Sequence, residues 1–291
     1  MLPTPRRLAW YWFDCEVPPE WEVTAYGAGR EKGSLHFYTR KGFQGEINWR
    51  QVKAVPDQER IQNEIHRKVL EVEKGRDPKE GFPSLDFSEH SGFLVGAGKE
   101  GDPFHASIFF PETRILLQWV FPSYHHHLLK DQLYPLLESH RPQGEGEHLS
   151  WALFGIELKL PSNFKNIELN PLPGHVVLEY RNENRVHFKA RRWAMPEELM
   201  GPMNLEQFSR HLSRKLLYKV SRAQLTTLGS HDAVRVEFSV KGNVGFEKIV
   251  GQWWTGEMVI WWDRKTRRLA SLECYGPKRH PRVDFNRVLE R

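Results

Sequence analysis

The chain contains an internal similarity at a spacing of 141 residues, and this constrains its fold more than any other feature. An early stretch, FDCEVPPEWEVTAYGAGREKGSLHFYTRKGFQGEINWRQV, and a middle one, FGIELKLPSNFKNIELNPLPGHVVLEYRNENRVHFKARRW, both predict a short strand, a proline near an aromatic residue and two alternating strands. The matching positions are Gly33 with Gly174, Leu35 with Val176, Phe37 with Leu178, Arg40 with Arg181 and Ile47 with Phe188. The sequence therefore predicts two copies of one unit, at residues 1–146 and 147–291.

An amphipathic helix is expected to follow in each copy. Asp57 and Asn204 stand where helices of this pattern are capped, and Gln207 follows Asn204 at capping-box spacing. The apolar faces would be Ile61, Ile65, Val69 and Val72 in the first copy and Leu205, Phe208, Leu212 and Leu216 in the second. A further helix is expected near 122–140 and 281–291. The predicted fold class is thus α+β, with two tandem antiparallel-sheet units, each flanked by helices.

This order of elements, with a proline near an aromatic residue at the start of each copy, resembles the PsbP-like fold, and the most similar stretch is WALFGIELKLPSNFKNIEL. That family includes an extrinsic photosystem II protein and a nuclear-import factor that binds the GTPase Ran. The resemblance would make the chain a PsbP-like duplication with helix-flanked antiparallel sheets. It implies binding or assembly rather than catalysis, and it assigns a role to no individual residue.

The sequence also bears on the compartment. No apolar run approaches the ~18 residues of a membrane span, and the opening MLPTPRRLAWYWFDCEV lacks a small-residue cleavage site. Cys15 and Cys274 form no disulfide framework, although one bridge between them stays open. We therefore expect a cytoplasmic protein with no membrane partner.

The formal charge of +5 is divided unevenly. Residues 1–150 hold 18 Lys and Arg against 22 Asp and Glu, whereas residues 151–291 hold 24 against 15. An excess of this kind can indicate an anionic partner for the second half, but the two halves could instead attract each other, or each could have a solvated face. The candidate partner-binding residues are Arg181, Lys189, Arg191, Arg192, Arg264, Lys265, Arg267 and Arg268. Aromatic residues between them suit a nucleic acid, while a solvated hairpin turn would also be basic.

Three consecutive histidines, His125 to His127, raise the question of a metal site. Neighbouring side chains on a helix diverge by about 100°, so the three cannot converge on one ion. Only His127 and Asp131 have the i, i+4 spacing of a chelating pair, and two ligands are too few. Further ligands would have to come from His90, His105 or His140. We expect no metal site, and we expect structural roles for His90 and His231, which also lie 141 residues apart.

No catalytic or cofactor motif is present. The stretches GAGREKG and GAGKEG lack the spacing of a phosphate-binding loop, and no G-x-S-x-G elbow occurs. The sequence predicts a non-enzymatic macromolecule-binding or scaffolding protein without a cofactor, with an unknown protein as its partner. Two alternatives stay open: a hydrolase-like enzyme with a cleft between the two repeats, and nucleic-acid binding through the basic second half.

Overall fold

Strands dominate the computed structural model, which describes residues 5–72, 85–99, 101–122, 129–143, 146–172, 174–241, 253–277 and 284–289. The chain divides into two units, Met1–Gly155 and Ile156–Arg291. Strands account for 57% of the structure and helices for 16%, and the strands form three antiparallel sheets. The prediction of an α+β fold with helix-flanked units was therefore wrong.

Unit 1 contains the strands β1 (Arg6–Trp10), β2 (Phe13–Val17), β3 (Glu22–Ala28), β4 (Lys32–Thr39), β5 (Gly42–Gln51), β6 (Asp86–His90), β7 (Phe93–Ala97), β8 (Phe104–Phe110), β9 (Ile115–Phe121), β10 (Arg141–Pro142) and β11 (His148–Leu153). Its helices are α1 (Gln58–Val72) and α2 (Tyr134–Glu138), the latter preceded by a π-helical turn at Leu129–Leu133. Seven strands form one sheet in the order β3-β4-β5-β9-β8-β7-β6.

Unit 2 contains β12 (Ile156–Pro161), β13 (Lys165–Leu172), β14 (His175–Arg181), β15 (His187–Trp193), β16 (Lys219–Leu228), β17 (His231–Lys241), β18 (Trp253–Asp263) and β19 (Arg268–Gly276). Its helices are α3 (Pro196–Met200), α4 (Leu205–Lys215) and α5 (Phe285–Val288). The order β13-β14-β15-β19-β18-β17-β16 repeats the connectivity of the first seven-stranded sheet. Four further strands of unit 1 form part of the third sheet, in the order β10-β2-β1-β11.

The two expected closing helices contribute few helical residues to the described part of the chain. Residues 123–128 of the first lie outside the described residues, and the described remainder consists of the π-helical turn and the five-residue α2. Pro135 stands at the start of α2, where a missing N–H costs nothing, whereas inside a longer helix it would remove a hydrogen bond. In the second unit, α5 spans four residues.

The predicted caps of α1 and α4 are confirmed. The backbone N–H of Arg60 donates to the Asp57 carboxylate over 2.6 Å. At α4, Asn204 accepts from the Gln207 backbone, and the Gln207 side chain accepts from Asn204, so a complete capping box is present. On the predicted apolar face of α1, Ile61 and Ile65 are buried. On that of α4, Phe208 and Leu212 are buried. The side chains of Val69 and Val72 lie outside the described part.

The 141-residue spacing is not kept across the second hairpin of each large sheet. In β4–β5, Leu35 faces Ile47, but in β14–β15, Val176 faces Arg192 and Phe188 faces Tyr180. The turns differ in length, with two residues between Thr39 and Gly42 and five between Arg181 and His187, and β4–β5 also has a register shift between Phe37 and Tyr38.

The two cysteines are free and buried. Burial raises the pKa of the Cys274 thiol to about 12 and that of Cys15 well above its ordinary value. Both thiols are thus protonated at neutral pH, which makes them poor nucleophiles. In the described part of the chain, no helix has the length and hydrophobicity needed to cross a membrane.

Candidate functional site

One face of the unit 2 sheet carries buried charges among apolar side chains such as Met258 and Leu269. Cross-strand register places Glu179 of β14 beside Lys189 of β15, and Lys189 beside Glu273 of β19. Arg191 lies two residues further along β15 and therefore on the same face. Buried charges are costly unless they are paired, so the partners of these groups decide what the face can do.

Glu273 is fully buried and accepts three hydrogen bonds. The donors are Arg191 Nε at 2.7 Å, the Tyr218 hydroxyl at 2.7 Å and the Ser271 hydroxyl at 3.4 Å. Burial by itself would lower the pKa of the Arg191 guanidinium, but the Glu273 carboxylate outweighs this and raises it. Burial also raises the pKa of Tyr218 far above its usual value, and the nearby carboxylate adds to the effect. The Glu273 carboxylate and the Arg191 guanidinium therefore neutralise each other within the unit.

Glu179 forms a second cluster on the same face. Its carboxylate accepts from His187 Nδ1 at 2.6 Å, from Lys189 Nζ at 2.8 Å and from the Tyr275 hydroxyl at 3.5 Å. Burial would raise the pKa of Glu179, but the hydrogen bond from His187 and the charge of Lys189 lower it. The His187 ring stacks on Tyr275 with centroids 5.0 Å apart, and Trp254 lies 5.4 Å away. A carboxylate–imidazole pair can orient a general base, yet no described hydroxyl or thiol bonds to His187 Nε2.

A cavity of about 970 Å³ opens elsewhere in unit 2, beside α4 and the edge strand β16. Apolar groups form part of its wall, among them Met200, Leu205, Leu225 and Trp262. Leu225 is 75% exposed even though it belongs to a strand. The indole Nε1 of Trp262 is buried, with no hydrogen-bond partner among the described residues. The cavity therefore combines an apolar wall with the buried Trp262 N–H, which has no acceptor among the described residues.

The rim of this cavity is charged. The guanidinium of Arg264 lies 5.5 Å from the centre of the Trp262 ring, within cation–π range. Two of the three rim carboxylates already have partners. Glu206 pairs with Arg210 at 3.1 Å. Asp263 accepts hydrogen bonds from the Lys265 backbone N–H and the Thr266 hydroxyl. Arg264 and Lys265 make no ion pair with any residue that the structure describes. The rim thus carries two cations without an ion pair, Arg264 and Lys265, together with a third carboxylate, Asp232, which has no side-chain partner among the described residues.

The strand next to the cavity has an open edge. β16 is the last strand of its sheet and pairs only with β17 within the described chain. Its register shifts between Val220 and Arg222, where the Ser221 hydroxyl donates to the Glu237 carbonyl over 3.1 Å. From Arg222 to Leu228 the pairing is regular. That part of the strand presents backbone groups that a further strand can pair with.

The structure does not bring the eight predicted basic residues onto one surface. Lys189 and Arg191 lie in the buried clusters, Arg264 and Lys265 on the cavity rim, and Arg267 pairs with the exposed Glu197 at 3.3 Å. Arg181 is exposed at the end of β14. By strand alternation, Arg192 and Arg268 lie on the opposite face from Lys189 and Arg191.

The candidate metal ligands are only partly described. His127 lies outside the described residues, and Asp131 is exposed in the π-helical turn. Groups of three or more His, Cys, Asp or Glu side chains placed for a metal are absent from the part of the chain described here. His90 stacks on Tyr134 at 4.1 Å and lies 3.1 Å from Glu138. His231 begins β17 and lines the cavity beside α4.

Several site residues were missed from the sequence. Glu179, His187 and Glu273 were not singled out, nor were Leu225 and Trp262 as cavity residues. A usable signal existed for Glu273, since a lone acid in the apolar run LASLECY predicts a buried partner. No comparable signal marks Leu225, because its exposure depends on the position of β16 at the sheet edge.

Comparison with known proteins assigns the chain to no family. No family model matches the chain, and neither does any curated protein. Among solved structures, it is similar to the apo immunity protein TplEi of the T6SS from Pseudomonas aeruginosa, with 10% identity and a TM-score of 0.38 over 96% of this chain and 90% of that one. The same protein complexed with a peptide called "L" gives 9% identity and a TM-score of 0.39 over 97% and 90%. The PsbP-like resemblance stays a prediction.

Proposed function

We propose that this protein is a non-enzymatic binding protein and that its unit 2 holds an extended segment of a partner protein. The observation that carries the proposal is the 75% exposed Leu225 on an open edge strand at the mouth of a cavity. Exposed strand edges promote unwanted pairing and are normally protected. A partner strand that pairs with β16 would cover both the apolar side chain and the backbone groups.

The chemistry of the cavity indicates what the segment carries. An apolar side chain would pack against Leu225 and the Trp262 ring, and a carbonyl oxygen beside it would accept from Trp262 Nε1. An acidic residue next to this anchor would meet Arg264 and Lys265 on the rim. The expected partner segment is therefore extended, with an apolar anchor and a neighbouring Asp or Glu.

A protein partner is favoured over a nucleic acid by the state of the basic residues. Lys189 and Arg191 are neutralised by buried carboxylates, and Arg267 pairs with Glu197. Binding to phosphates requires several cations that can exchange counterions for the backbone. The hydrolase alternative finds its nearest support in the Glu179–His187 pair, but the second ring nitrogen of His187 is buried beside aromatic rings and not in the cavity.

The test is a peptide-binding measurement with a matched pair of variants. Panning random peptides on the full chain should select sequences with an apolar anchor and an adjacent acid. In fluorescence polarisation, Leu225→Glu should weaken a selected peptide at least about tenfold, since a buried leucine contributes about 1.5–3 kcal/mol. Val55→Glu is the control, because Val55 is 74% exposed but lies in unit 1.

The same pair of variants decides which native partner is relevant. A protein that the wild type captures from cells expressing it supports the proposal if the Leu225→Glu variant no longer captures it and the Val55→Glu variant still does. The proposal is wrong if both variants bind the selected peptides as the wild type does, or if the selected peptides are basic and lack an apolar anchor.

A further inference from the structure

Unit 1 contains a second cavity of about 970 Å³, beside the turn between β3 and β4. This turn contains the stretch GAGREKG, which lacks the spacing of a phosphate-binding loop and here joins two strands. One wall of the cavity comes from the β4, β5 and β9 face of the sheet, and the other from α1. The cavity is independent of the site proposed for unit 2.

Strand register arranges the wall of this cavity in two rows. One row consists of Lys32, Arg50 and Leu116, and the other of Ser34, Asn48 and Gln118. From α1, Glu64 and Arg67 complete the lining. Cationic and neutral polar groups from three strands and a helix thus surround one space.

Two indole rings hold the turn that carries Arg30. Trp49 Nε1 donates to the Gly29 carbonyl at 3.0 Å, and Trp12 Nε1 donates to the Arg30 carbonyl at 2.6 Å. The Arg30 guanidinium also lies 5.0 Å from the centre of the Trp12 ring. Gly33 keeps the strands close, because a Cβ there would collide with the Gly27 carbonyl and the Trp49 ring. The cationic corner is therefore preorganised, which lowers the entropy lost on binding.

The charges around the cavity do not balance. Its lining has four cationic side chains (Arg30, Lys32, Arg50 and Arg67) and two acidic ones (Glu31 and Glu64), which leaves a net charge of +2. Arg50 pairs with Glu64. Arg30, Lys32 and Arg67 have no ion pair with a residue in the described ranges. Unmatched positive charge in a concave surface concentrates the potential that attracts anions.

We propose that this cavity binds a small anion with at least two negative charges, of the phosphate-ester or polyphosphate class. Arg67 and Lys32 approach from α1 and β4, and guanidinium and ammonium groups bind phosphate oxygens through charge-assisted hydrogen bonds. Ser34 supplies a neutral hydroxyl, and Asn48, whose amide nitrogen already donates to Glu46 at 2.8 Å, completes the polar wall. The volume fits a small organic molecule, since ligand pockets commonly span about 300–1,000 Å³.

Titration calorimetry of the full chain with pyrophosphate at low ionic strength tests the proposal. We expect binding to one site, and the double variant Lys32→Gln/Arg67→Gln should weaken it at least about tenfold, because each removes a charged hydrogen-bond donor. Lys41→Gln is the matched control, since Lys41 is an exposed lysine of unit 1 outside the cavity lining. The charge-retaining variant Lys32→Arg/Arg67→Lys should still bind, which separates loss of charge from loss of fold.

Three results would overturn the proposal. The first is no heat of binding with millimolar pyrophosphate. The second is an equal loss of affinity in Lys41→Gln and in the double variant, which would indicate general attraction to a basic surface. The third is tighter binding of polyglutamate than of pyrophosphate, which would assign the cavity to an acidic protein segment.

Discussion

The replacement Glu273→Leu is expected to lower the free energy of unfolding by about 3–5 kcal/mol, as is usual when one partner of a buried ion pair is removed. Glu273 accepts hydrogen bonds from Arg191 and Tyr218 in a place without solvent access. Its loss leaves a buried guanidinium without its counter-charge and a buried hydroxyl without its acceptor. Denaturant unfolding at constant pH measures the change.

The control for this prediction removes both charges. Replacing Arg191 with Met together with Glu273→Leu should restore part of the lost stability, since it removes the unpaired buried charge but leaves the Tyr218 hydroxyl without its acceptor. The two residues lie 82 positions apart in the chain. A non-additive effect of the two substitutions on the free energy of unfolding therefore reports a tertiary contact. A cost below about 1 kcal/mol for the single variant would contradict the arrangement, as would a double variant no more stable than the single one.

Stability is expected to fall by about 3 kcal/mol between pH 6.5 and pH 4 because of His140, at about 1.36 kcal/mol per pKa unit. Burial lowers the pKa of His140 from 6.5 to about 4; its hydrogen bond to the Leu136 carbonyl opposes the shift and Arg141 adds to it. The ring accepts from Trp119 Nε1 at 3.0 Å, which requires an unprotonated Nε2. As the pH falls, the unfolded chain takes up the proton first. The stabilisation is thus complete above pH 6.5 and is lost by about pH 4.

The measurement compares wild type and His140→Gln by denaturant unfolding between pH 7.5 and pH 4. The variant should be less stable at pH 7.5, because Trp119 loses its acceptor, and it should lack most of the decline above pH 4. Glu179 also has a lowered pKa, and the stability it contributes is lost as the pH falls below its ordinary value. That loss occurs in both proteins and cancels in the difference. Parallel pH profiles would contradict the assignment to His140.

Parts of the fold that depend on neighbouring residues were predictable. Asp57 caps α1, and Asn204 with Gln207 caps α4, because a cap joins groups within one turn of the helix. The proline-and-aromatic turns near the start of both copies are also local. The Trp21 N–H donates to the Pro18 carbonyl at 3.0 Å and the Phe164 N–H to the Pro161 carbonyl at 2.9 Å, and both rings are buried.

The fold class could not be predicted in the same way. Leu133, Leu136 and Leu137 have the spacing of a helical stripe and are buried, yet they belong to a π-helical turn and a short helix. The apolar pattern specifies which side chains avoid water, and tertiary packing decides how many residues of regular helix accompany them. The α+β prediction failed because strands account for 57% of the structure and helices for only 16%.

The sequence by itself determined the capped helices, the alternating strands and the excess of positive charge in the second half. Only the tertiary structure decided what those charges do: Lys189 meets Glu179 and Arg191 meets Glu273, whereas Arg264 and Lys265 reach the rim of a cavity. The physical reason is that the effect of a charge depends on its partner and on its exposure to water. Both are set by strand order and register, which bring together residues far apart in the chain.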